Sequence, residues 1–405
     1  MPIVVQKYGG SSVADPDKIR NVAQRVAKSK DSGNQVVVVV SAMGDSTDDL
    51  ITLAHKITDQ PDSREMDVLL STGEIVSSAL LTMALHKMGY QAVSLSGPQA
   101  GIRTDKDHNK ARILKVESDR IVQELKEGNI VIVAGFQGIT DESDVTTLGR
   151  GGSDTTAVAL AISLGAEVCE RFTDVDGVYT ADPRICQDAL KLSEIGYEEM
   201  LELATSGSKV MHYRAVELAG VYNMPVLVAS SFNEAPGTLI HGGESMEVRN
   251  KVRGIAHDLD VAKITVVGIP NQPGIAAAIF EPLAKAGVSI DTIVQNAFTA
   301  DVTDLTFTVA KGDLKKALDV IKPVAKTIGA KDTLADSKLG KVSIVGTGMQ
   351  NTPGYAAKMF SALSREKINI QLITTSEIRI TCVIDEARVK DAVLALHKAF
   401  ELEID

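Results

Sequence analysis

The sequence contains no tryptophan, and aromatic residues make up only 4% of its 405 residues. Its hydrophobic cores must therefore be built mainly from Val, Ile, Leu and Ala. Cysteine is also scarce, since Cys169, Cys186 and Cys382 lie far apart and form no C-x-x-C pair. This spacing argues against a disulfide scaffold and a cysteine-ligated zinc site, and it predicts a protein of the reducing cytoplasm.

The chain also lacks basic clusters and long apolar runs. The formal net charge is −11 and no block of Lys and Arg occurs, whereas a sequence-independent nucleic-acid binder carries a basic face. No apolar run approaches the roughly 20 residues that span a bilayer. The amino terminus, Met1-Pro2-Ile3, lacks the basic and apolar regions of a signal peptide. We therefore expect neither a nucleic-acid partner nor a membrane partner.

The first part of the chain alternates between strand and helix patterns, and the length of 405 residues predicts two or three domains. The run "VVVVV" at 36–40 is typical of a parallel strand buried on both faces. Asp15 and Pro16 suit the N-cap and the first turn of a helix. Further strands are predicted at 2–7, 129–135 and 225–230, and helices at 65–87 and 153–165. Together these elements predict an α/β fold with a mainly parallel sheet.

The character of the sequence changes after this part. Residues 233–251 are polar and contain glycine, which predicts a linker. Beyond them, residues 263–290 match residues 341–370, and both copies carry a Pro-Gly pair before a helical pattern. Each copy reads as strand, loop, helix, two strands and a second helix. The repeat predicts two copies of one small module.

The stretch "KYGGSS" at 7–12 follows the first predicted strand. Glycine N–H groups at a strand end cradle phosphate oxygens, and Lys7 adds a positive charge. The alternative is a plain strand-to-helix turn with a solvated lysine, because glycine-rich turns give many false matches. Taken alone, the stretch does not decide between the two.

A second glycine-rich stretch, "TTLGRGGSDTTAVAL" at 146–160, leads into a helix whose N-terminus attracts anions. Arg150 among its glycines suits bidentate binding of a carboxylate or phosphate. Asp154 would repel phosphate unless it orders a lysine or magnesium. The alternative, in which Ser153 or Asp154 only caps the helix, leaves an arginine buried among three glycines unexplained. We therefore favour a functional role.

Three more stretches carry candidate residues. "STGE" at 71–74 places Gly73 inside a helix, at a cost of about 1 kcal/mol relative to Ala, beside Glu74. "FTDVDGVYTADPR" at 172–184 combines turn formers with an aromatic residue and an arginine that could hold a nucleotide. "SGSKVMH" at 206–212 offers Lys209, either as a second phosphate lysine or as a surface charge. No nucleophile–base signature accompanies them, so the parts point to charge neutralisation in phosphoryl transfer.

In order and spacing, these motifs together resemble the aspartate kinases of the amino-acid kinase family. The resemblance covers essentially the whole chain, and the repeat is similar to that family's paired ACT modules. It implies a three-layer kinase domain with a mainly parallel central sheet, followed by two α+β (ferredoxin-like) ACT modules. The implied boundaries are 1–240 for the kinase domain, 241–262 for a linker and first regulatory strand, 263–335 for ACT module 1 and 336–405 for ACT module 2.

The resemblance also implies an activity: ATP-dependent phosphorylation of the side-chain carboxylate of L-aspartate, the entry to lysine, threonine and methionine. Lys7 and Lys209 would stabilise the transferring phosphoryl group, and Asp154 would order both lysines. The implied nucleotide-binding residues are Gly9, Gly10, Ser11, Thr173, Asp174, Tyr179, Arg184 and Lys209. The implied aspartate-binding residues are Ser41, Thr47, Glu74, Arg150 and Ser153. A Mg²⁺ ion would bridge the phosphates, held mostly by substrate and water and by no dedicated protein site.

For regulation, the resemblance implies feedback inhibition by lysine and/or threonine at the ACT modules. The implied effector-binding residues are Asn271, Ile275, Ala276, Asp291, Gln295, Thr352, Tyr355, Ser376 and Glu377. It further implies a homo-oligomer, or a complex with a short regulatory chain that starts near Met246. Two alternatives stay open at this point: a sister kinase with another acid substrate, and a non-catalytic amino-acid sensor on the same fold.

Overall fold

A computed structural model describes residues 1–242, 252–297, 302–350 and 352–404. The proposed internal start, Met246, lies outside the described residues. The described chain divides into two compact units. The first comprises Met1–Tyr179, Lys191–Thr205 and the described residues from Lys209 to Gly242. The second comprises Thr180–Leu190, Ser206–Ser208 and the described residues from Val252 onward.

The first unit alternates strands with helices, as the sequence predicts. Its elements in chain order are β1 Ile3–Tyr8, α1 Pro16–Asp31, β2 Gln35–Val40, α2 Ser46–Ile57, α3 Ser63–Lys87, β3 Ala92–Leu95, β4 Ile102–Thr104, β5 Ile113–Val116, α4 Asp119–Lys126, β6 Ile130–Ala134, β7 Gln137–Ile139, β8 Val145–Thr147, α5 Gly152–Leu164, β9 Val168–Thr173, β10 Glu194–Gly196, α6 Tyr197–Thr205, α7 Tyr213–Val221, β11 Val226–Ser230 and β12 Thr238–His241. A smaller four-stranded sheet has the order β5-β4-β7-β8.

The main sheet has the strand order β10-β12-β11-β9-β1-β2-β6-β3, and its central strands are all parallel. The chain first builds β2, β6 and β3 on one side of β1, and then returns to place β9 and β11 on the other side. The order therefore reverses between β1 and β9. In open α/β sheets, ligands bind beyond the carboxyl ends of the strands at such a reversal.

The two faces of the main sheet are buried by different helices. Val36, Val38 and Val40 of β2 point into a core with α1 and α3, together with Tyr8 of β1. Helix α5 packs against β1, β2 and β9. Because side chains alternate along a strand, Lys7 faces the side opposite to Tyr8. Burial on both faces explains the unbroken apolar strands in the sequence.

Local sequence signals account for several boundaries. Asp15 caps α1 by accepting a hydrogen bond from the Lys18 backbone N–H, and Pro16 occupies the first helical position, as predicted. The predicted linker at 233–251 is wrong in one part, because Thr238–His241 forms strand β12 and pairs with β11. Its alternating burial belongs to a sheet strand, and a Gly-containing polar stretch conceals this pattern.

One described helix, α3, is long and apolar enough to cross a membrane by length and composition alone. Half of its most apolar stretch is buried inside the protein, and the core helices of globular proteins can have the same length and composition. Helix α3 also buries Asp67 and Glu74, two charged residues. These contacts make it a core helix of the first unit.

The second unit contains the sequence repeat. Its elements are β13 Gly254–Pro270, α8 Ile275–Lys285, β14 Ile293–Ala297, β15 Val302–Val309, α9 Leu314–Thr327, β16 Asp332–Val345, α10 Tyr355–Arg365, β17 Ile370–Thr375, β18 Arg379–Asp385 and α11 Val389–Ala399. They form one antiparallel sheet with the order β14-β15-β13-β16-β18-β17. Each copy has the element order that the repeat predicts.

Two long strands run through both halves of this sheet. The first part of β13, from Gly254 to Asp258, pairs with the end of β16, whereas its second part pairs with β15 and the start of β16. The halves have separate cores: one around Phe307 and Ile279, the other around Met359 and Leu396. The first regulatory strand, expected within 241–262, therefore continues to Pro270 and serves both halves.

Candidate active site

Three charged side chains meet at the reversal between β1 and β9. Lys7, near the end of β1, places its Nζ 2.6 Å from Oδ1 of Asp154, in the first turn of α5. Arg171, on β9, donates from Nε to Oδ2 of the same carboxylate at 3.1 Å. All three residues are at least 90% buried. Lys7 and Asp154 meet as expected, whereas none of the predicted site residues is Arg171.

The charges in this cluster shift one another. Burial alone would raise the pKa of Asp154, but Arg171 and Lys7 outweigh burial and hold that pKa well below its usual range. Burial lowers the pKa of Lys7, Asp154 opposes the shift, and Arg171 adds to it. Asp154 is thus an anion between two cations, and it orients Lys7.

The predicted phosphate cradle lies beside Lys7. The N–H of Gly9 donates to the Phe172 carbonyl of β9 at 3.3 Å. A Cβ on Gly10 would come within 2.8 Å of the Ala42 carbonyl oxygen, so only glycine fits this turn. Ser11 is exposed. The Gly9 N–H is therefore already engaged within the protein, contrary to the expectation that it donates to phosphate, and the Gly10 N–H at the carboxyl end of β1 is the better candidate donor to an anion.

A chain of hydroxyl groups also holds this cradle. Ser12 is buried and donates to Ser231 Oγ at 2.8 Å, and Ser231 donates to the Thr173 carbonyl at 3.1 Å. Ser231 follows β11 and was not among the predicted residues. The contacts tie the loop after β1 to the ends of β9 and β11.

Glu74 is the second buried charge near the strand ends. Its Oε1 accepts from the Ala42 backbone N–H at 3.2 Å, while its Oε2 is buried without a hydrogen-bond partner among the described residues. Burial raises the pKa of Glu74 to about 7, although hydrogen bonds and Lys7 oppose the shift. A buried carboxylate oxygen without a partner suits an ammonium ligand.

Small contacts place Glu74 against the strand ends. A Cβ on Gly73 would lie 2.8 Å from the Ala42 Cβ, which explains a glycine in mid-helix. Ser77, one turn on, donates to the Ser41 carbonyl at 2.7 Å. Ser41 itself is half-buried after β2, and Thr47 is half-buried on α2.

The loop that carries Arg150 is built from left-handed glycines. A Cβ on Gly149 would lie 2.8 Å from the Asn109 carbonyl oxygen, and one on Gly151 would lie 2.1 Å from the His212 ring. Arg150 is exposed rather than buried, and it makes no hydrogen bond or ion pair with the described residues. Its guanidinium is therefore available to a ligand. Ser153 is buried at the start of α5, beside Gly135.

A buried acid near the start of α3, Asp67, supports the same loop. Asp67 is fully buried and accepts from the Asn109 N–H at 3.0 Å and from the Thr147 hydroxyl at 2.5 Å. His108 Nδ1 lies 2.6 Å from its second oxygen. Thr147 ends β8 directly before the glycine loop. One helix thus carries both Glu74 and the anchor of the Arg150 loop.

The predicted nucleotide residues separate between the two units. Thr173 ends β9 and donates to the exposed Asp174 at 3.0 Å, and Tyr179 donates to Asp176 at 2.7 Å. Arg184 belongs to the second unit, where its exposed side chain pairs with Asp182. Lys209 is exposed, and among the described residues no ion pair joins it to Asp154. Asp154 therefore orders Lys7 and Arg171, and the expected contact with Lys209 is not present.

The expected effector residues lie in the second unit. Asp291 accepts from Lys341, a residue of the other repeat copy, and Lys263 donates to Gln371 at 2.6 Å, again across the copies. Ile275 is a core residue at the start of α8, where the left-handed Gly274 precedes it. The remaining candidates lie in loops (Asn271, Thr352, Ser376 and Glu377), at the starts of helices (Ala276 and Tyr355) and within β14 (Gln295).

Comparison with known proteins assigns the family. A model of the amino acid kinase family matches residues 2–230, and a model of the ACT domain matches residues 264–323 and 342–400. Along its full length the chain is 51% identical to an aspartate kinase of Pseudomonas putida, covering 98% of that relative. The chain belongs to the aspartate kinases. An aspartokinase of Corynebacterium glutamicum is also 49% identical over 99% of this chain and 97% of its own length.

Solved structures agree with this assignment. The kinase superposes on E. coli aspartokinase III in complex with aspartate and ADP, with a TM-score of 0.83 and 26% identity over 98% of this chain and all of that one. For the same E. coli enzyme in complex with lysine and aspartate, the TM-score is 0.74. The predicted family, the enzyme class and the fold of an α/β kinase domain followed by ACT domains are confirmed.

Proposed function

We propose that the first unit transfers the γ-phosphoryl group of ATP to the side-chain carboxylate of L-aspartate, giving 4-phospho-L-aspartate. The observation that carries this proposal is the buried Oε2 of Glu74, which has no hydrogen-bond partner among the described residues and suits the ammonium group of an amino acid. The guanidinium of Arg150, which forms no ion pair within the described part of the chain, suits the α-carboxylate. Ser41, Thr47 and Ser153 assist as hydroxyl groups near the same strand ends.

The chemical step requires charge neutralisation rather than a base. An oxygen of the ionised substrate carboxylate attacks the γ-phosphorus, the bond from phosphorus to the bridging oxygen breaks, and ADP leaves. No proton has to move, because the nucleophile is already an anion. The barrier is the approach of two anions, and Lys7, oriented by Asp154, and the backbone amide of Gly10 lower it. Lys209 supplies a further positive charge in this proposal.

In this proposal, Ser11, Thr173, Asp174 and Tyr179 of the first unit hold the nucleotide. In this proposal, a magnesium ion is held mainly by phosphate and water. No group of three or more His, Cys, Asp or Glu side chains that could hold a metal occurs in the described part of the chain. Both oxygens of Asp154 already face cations. Bound magnesium would neutralise phosphate charge.

The test is ATP turnover with aspartate, glutamate, acetylglutamate and UMP, with hydroxylamine to trap an acyl phosphate. Trapped product with aspartate alone supports the proposal. Product with another acceptor supports a sister kinase, and no turnover supports a sensor.

In the Lys7→Ala variant, kcat should fall by about 10²- to 10³-fold, and near-normal kcat removes Lys7 from the site. In Arg150→Ala, an unchanged KM for aspartate removes Arg150.

We also propose feedback inhibition by lysine and/or threonine through the second unit, at the first committed step towards lysine, threonine and methionine. The E. coli relative solved in complex with lysine supports this proposal. Further support comes from Asp291, a candidate effector residue that accepts a hydrogen bond from Lys341 of the other repeat copy. Rates that respond to neither amino acid, alone or combined, contradict it.

Three further parts of the proposal concern the cell. We propose a cytoplasmic homo-oligomer, consistent with three cysteines that form no disulfide and are buried. A short regulatory chain could start at Met246. Mass spectrometry of the protein expressed from its native gene, with native mass measurement of the assembly, tests both the short chain and the oligomer.

A further inference from the structure

Arg171 carries a buried charge, and the proposed function gives this residue no role. It lies directly beside Lys7, because the parallel register of β1 and β9 pairs these two residues. Register partners in a sheet point to the same face, and the next pair, Tyr8 and Phe172, stacks on the opposite face with ring centroids 5.0 Å apart. Arg171 thus shares with Lys7 the face of Asp154, at the reversal of strand order.

The cluster carries an excess of positive charge. Lys7 and Arg171 contribute two cations and Asp154 one anion, so the buried group has a net charge of +1. A buried charge without compensation is costly. An anionic ligand would balance the charge of these three side chains, and the glycine turn after β1 lies next to Lys7 Nζ, which would be 3.7 Å from a Cβ on Gly9.

The guanidinium of Arg171 also has an unused donor. Its Nε is engaged with Asp154 at 3.1 Å, but its Nη1 is buried and has no hydrogen-bond partner among the described residues. Buried donors are rarely left unpaired. A guanidinium that already holds a carboxylate presents its remaining N–H groups in a fixed fork, and this fork matches phosphate oxygens.

We propose that Arg171 is a third cation of the phosphoryl-transfer site, donating from Nη1 to an oxygen of the transferring γ-phosphoryl group while its Nε holds Asp154. This inference rests on the proposed roles of Lys7 and Asp154. Arg171 shares Asp154 with Lys7, so the aspartate neutralises neither cation fully and both act on the phosphoryl group. Since charge on the phosphoryl oxygens is stabilised by such cations in the transition state, Arg171 contributes to kcat.

The experiment compares the full-length wild type with Arg171→Met and Arg171→Lys. We expect Arg171→Met to lower kcat by about 10²-fold, with the KM for aspartate changed less than about threefold. Arg171→Lys should recover only part of the rate, because a lysine that pairs with Asp154 has no fork left for phosphate. Guanidinium ion added to Arg171→Ala should restore part of the rate.

A transition-state mimic separates catalysis from structural support. Binding of ADP alone should be nearly unchanged in Arg171→Met, whereas binding of ADP with aluminium fluoride and aspartate should weaken by about the factor lost in kcat. The matched control is Arg25→Met, since Arg25 stacks on the Phe172 ring of the same strand, 4.7 Å from its centroid, on the opposite face. Its kinetics should match those of the wild type.

Two results overturn the proposal. One is a kcat of Arg171→Met within about threefold of the wild type, and the other is equal weakening of ADP and of its aluminium fluoride complex. The proposed function fails differently: the wild type then gives no acyl phosphate with aspartate, or Lys7→Ala remains active. Loss of Arg171 function with full dependence on Lys7 is therefore distinguishable from failure of the whole site.

Discussion

Glu74 accepts one hydrogen bond from the backbone of Ala42, at 3.2 Å, through one carboxylate oxygen, and it buries the other without a described partner. One of the two carboxylate oxygens therefore has no hydrogen-bond donor among the described residues. Burial raises the pKa of Glu74 to about 7, so protonation competes with any cationic ligand near neutral pH. The ionisation of a single side chain should therefore be visible in the binding of aspartate.

We predict that kcat/KM for aspartate falls as the pH drops below about 7, with Glu74 as the group responsible. The ionised carboxylate binds the substrate ammonium, whereas the protonated form does not. Glu74→Gln should raise the KM for aspartate by about 10- to 100-fold, the value of a hydrogen bond to a charged group, and should remove this acid limb. Initial rates across the pH range test it, and an acid limb retained in Glu74→Gln contradicts it.

The same shift predicts a change in stability. The folded pKa of Glu74 lies above its ordinary value of 4.5, so the folded state binds more protons than the unfolded state between 4.5 and about 7. Its contribution is fully present below this window and is lost as the pH rises through it. A difference of one pKa unit between the folded and unfolded states corresponds to about 1.4 kcal/mol of pH-dependent stability. The thermal unfolding midpoint should therefore fall less between pH 5 and pH 7 in Glu74→Gln than in the wild type.

We predict that Gly73→Ala raises the KM for aspartate, although alanine favours helices by about 1 kcal/mol. The new Cβ would lie 2.8 Å from the Ala42 Cβ, so α3 must move away and lengthen the Glu74 hydrogen bond. Thr72→Ala on the exposed face of the same helix is the control, since it changes helix propensity without this contact. Equal kinetics of the two variants would show that Gly73 does not set the position of Glu74.

We predict that Gly151→Ala raises the KM for aspartate by about 10- to 100-fold, because small displacements of a binding group have such effects. The residue has a φ of 71°, and its Cβ would lie 2.1 Å from the His212 ring, so the Arg150 loop must shift. Gly165→Ala separates this clash from backbone strain. Gly165 has a similar φ of 62°, at the other end of α5, and a Cβ added there would have no atom of the described residues within 4 Å. It should lose stability but keep the wild-type KM.

We predict that Asp67→Asn lowers stability by roughly 1–3 kcal/mol and also raises the KM for aspartate. Its amide would turn a donor towards the Asn109 N–H, the Thr147 hydroxyl or His108, all of which now contact carboxylate oxygens. Since Thr147 leads into the Arg150 loop, the loss reaches the site. Asp48→Asn, at an exposed position on α2, should change stability by less than about 0.5 kcal/mol. Calorimetry and initial rates measure both effects, and a wild-type KM in Asp67→Asn rules out the coupling.

Local patterns were enough to predict the alternating elements of the first unit and the order of elements in each repeat. The resemblance predicted that Lys7 and Asp154 meet, but it gave no reason to select Arg171. That residue depends on the register between β1 and β9, which local sequence does not contain. One signal was present: two charged residues, Glu170 and Arg171, interrupt the otherwise mostly apolar strand "VCERFT".

His212 and Asp67 were missed for a similar reason. His212 contacts the glycine loop from the start of α7, and Asp67 contacts β8 from α3, so both depend on tertiary packing. The opposite error concerns Asp154 and Lys209. Their opposite charges made a contact plausible, but the structure pairs Asp154 with Lys7 and Arg171. The extent of β13 and β16 was also unpredictable, since the repeat pattern shows each copy as complete in itself.

The shared strands have a consequence for how the regulatory half unfolds. Because β13 and β16 each hydrogen-bond in both halves of one sheet, neither half can lose its order without removing a neighbour from the other. The pair should melt as a single cooperative transition, and deletion of either repeat copy should leave an aggregation-prone edge strand in place of a smaller folded domain. The two repeat copies would then unfold together, although the sequence shows them as separate modules.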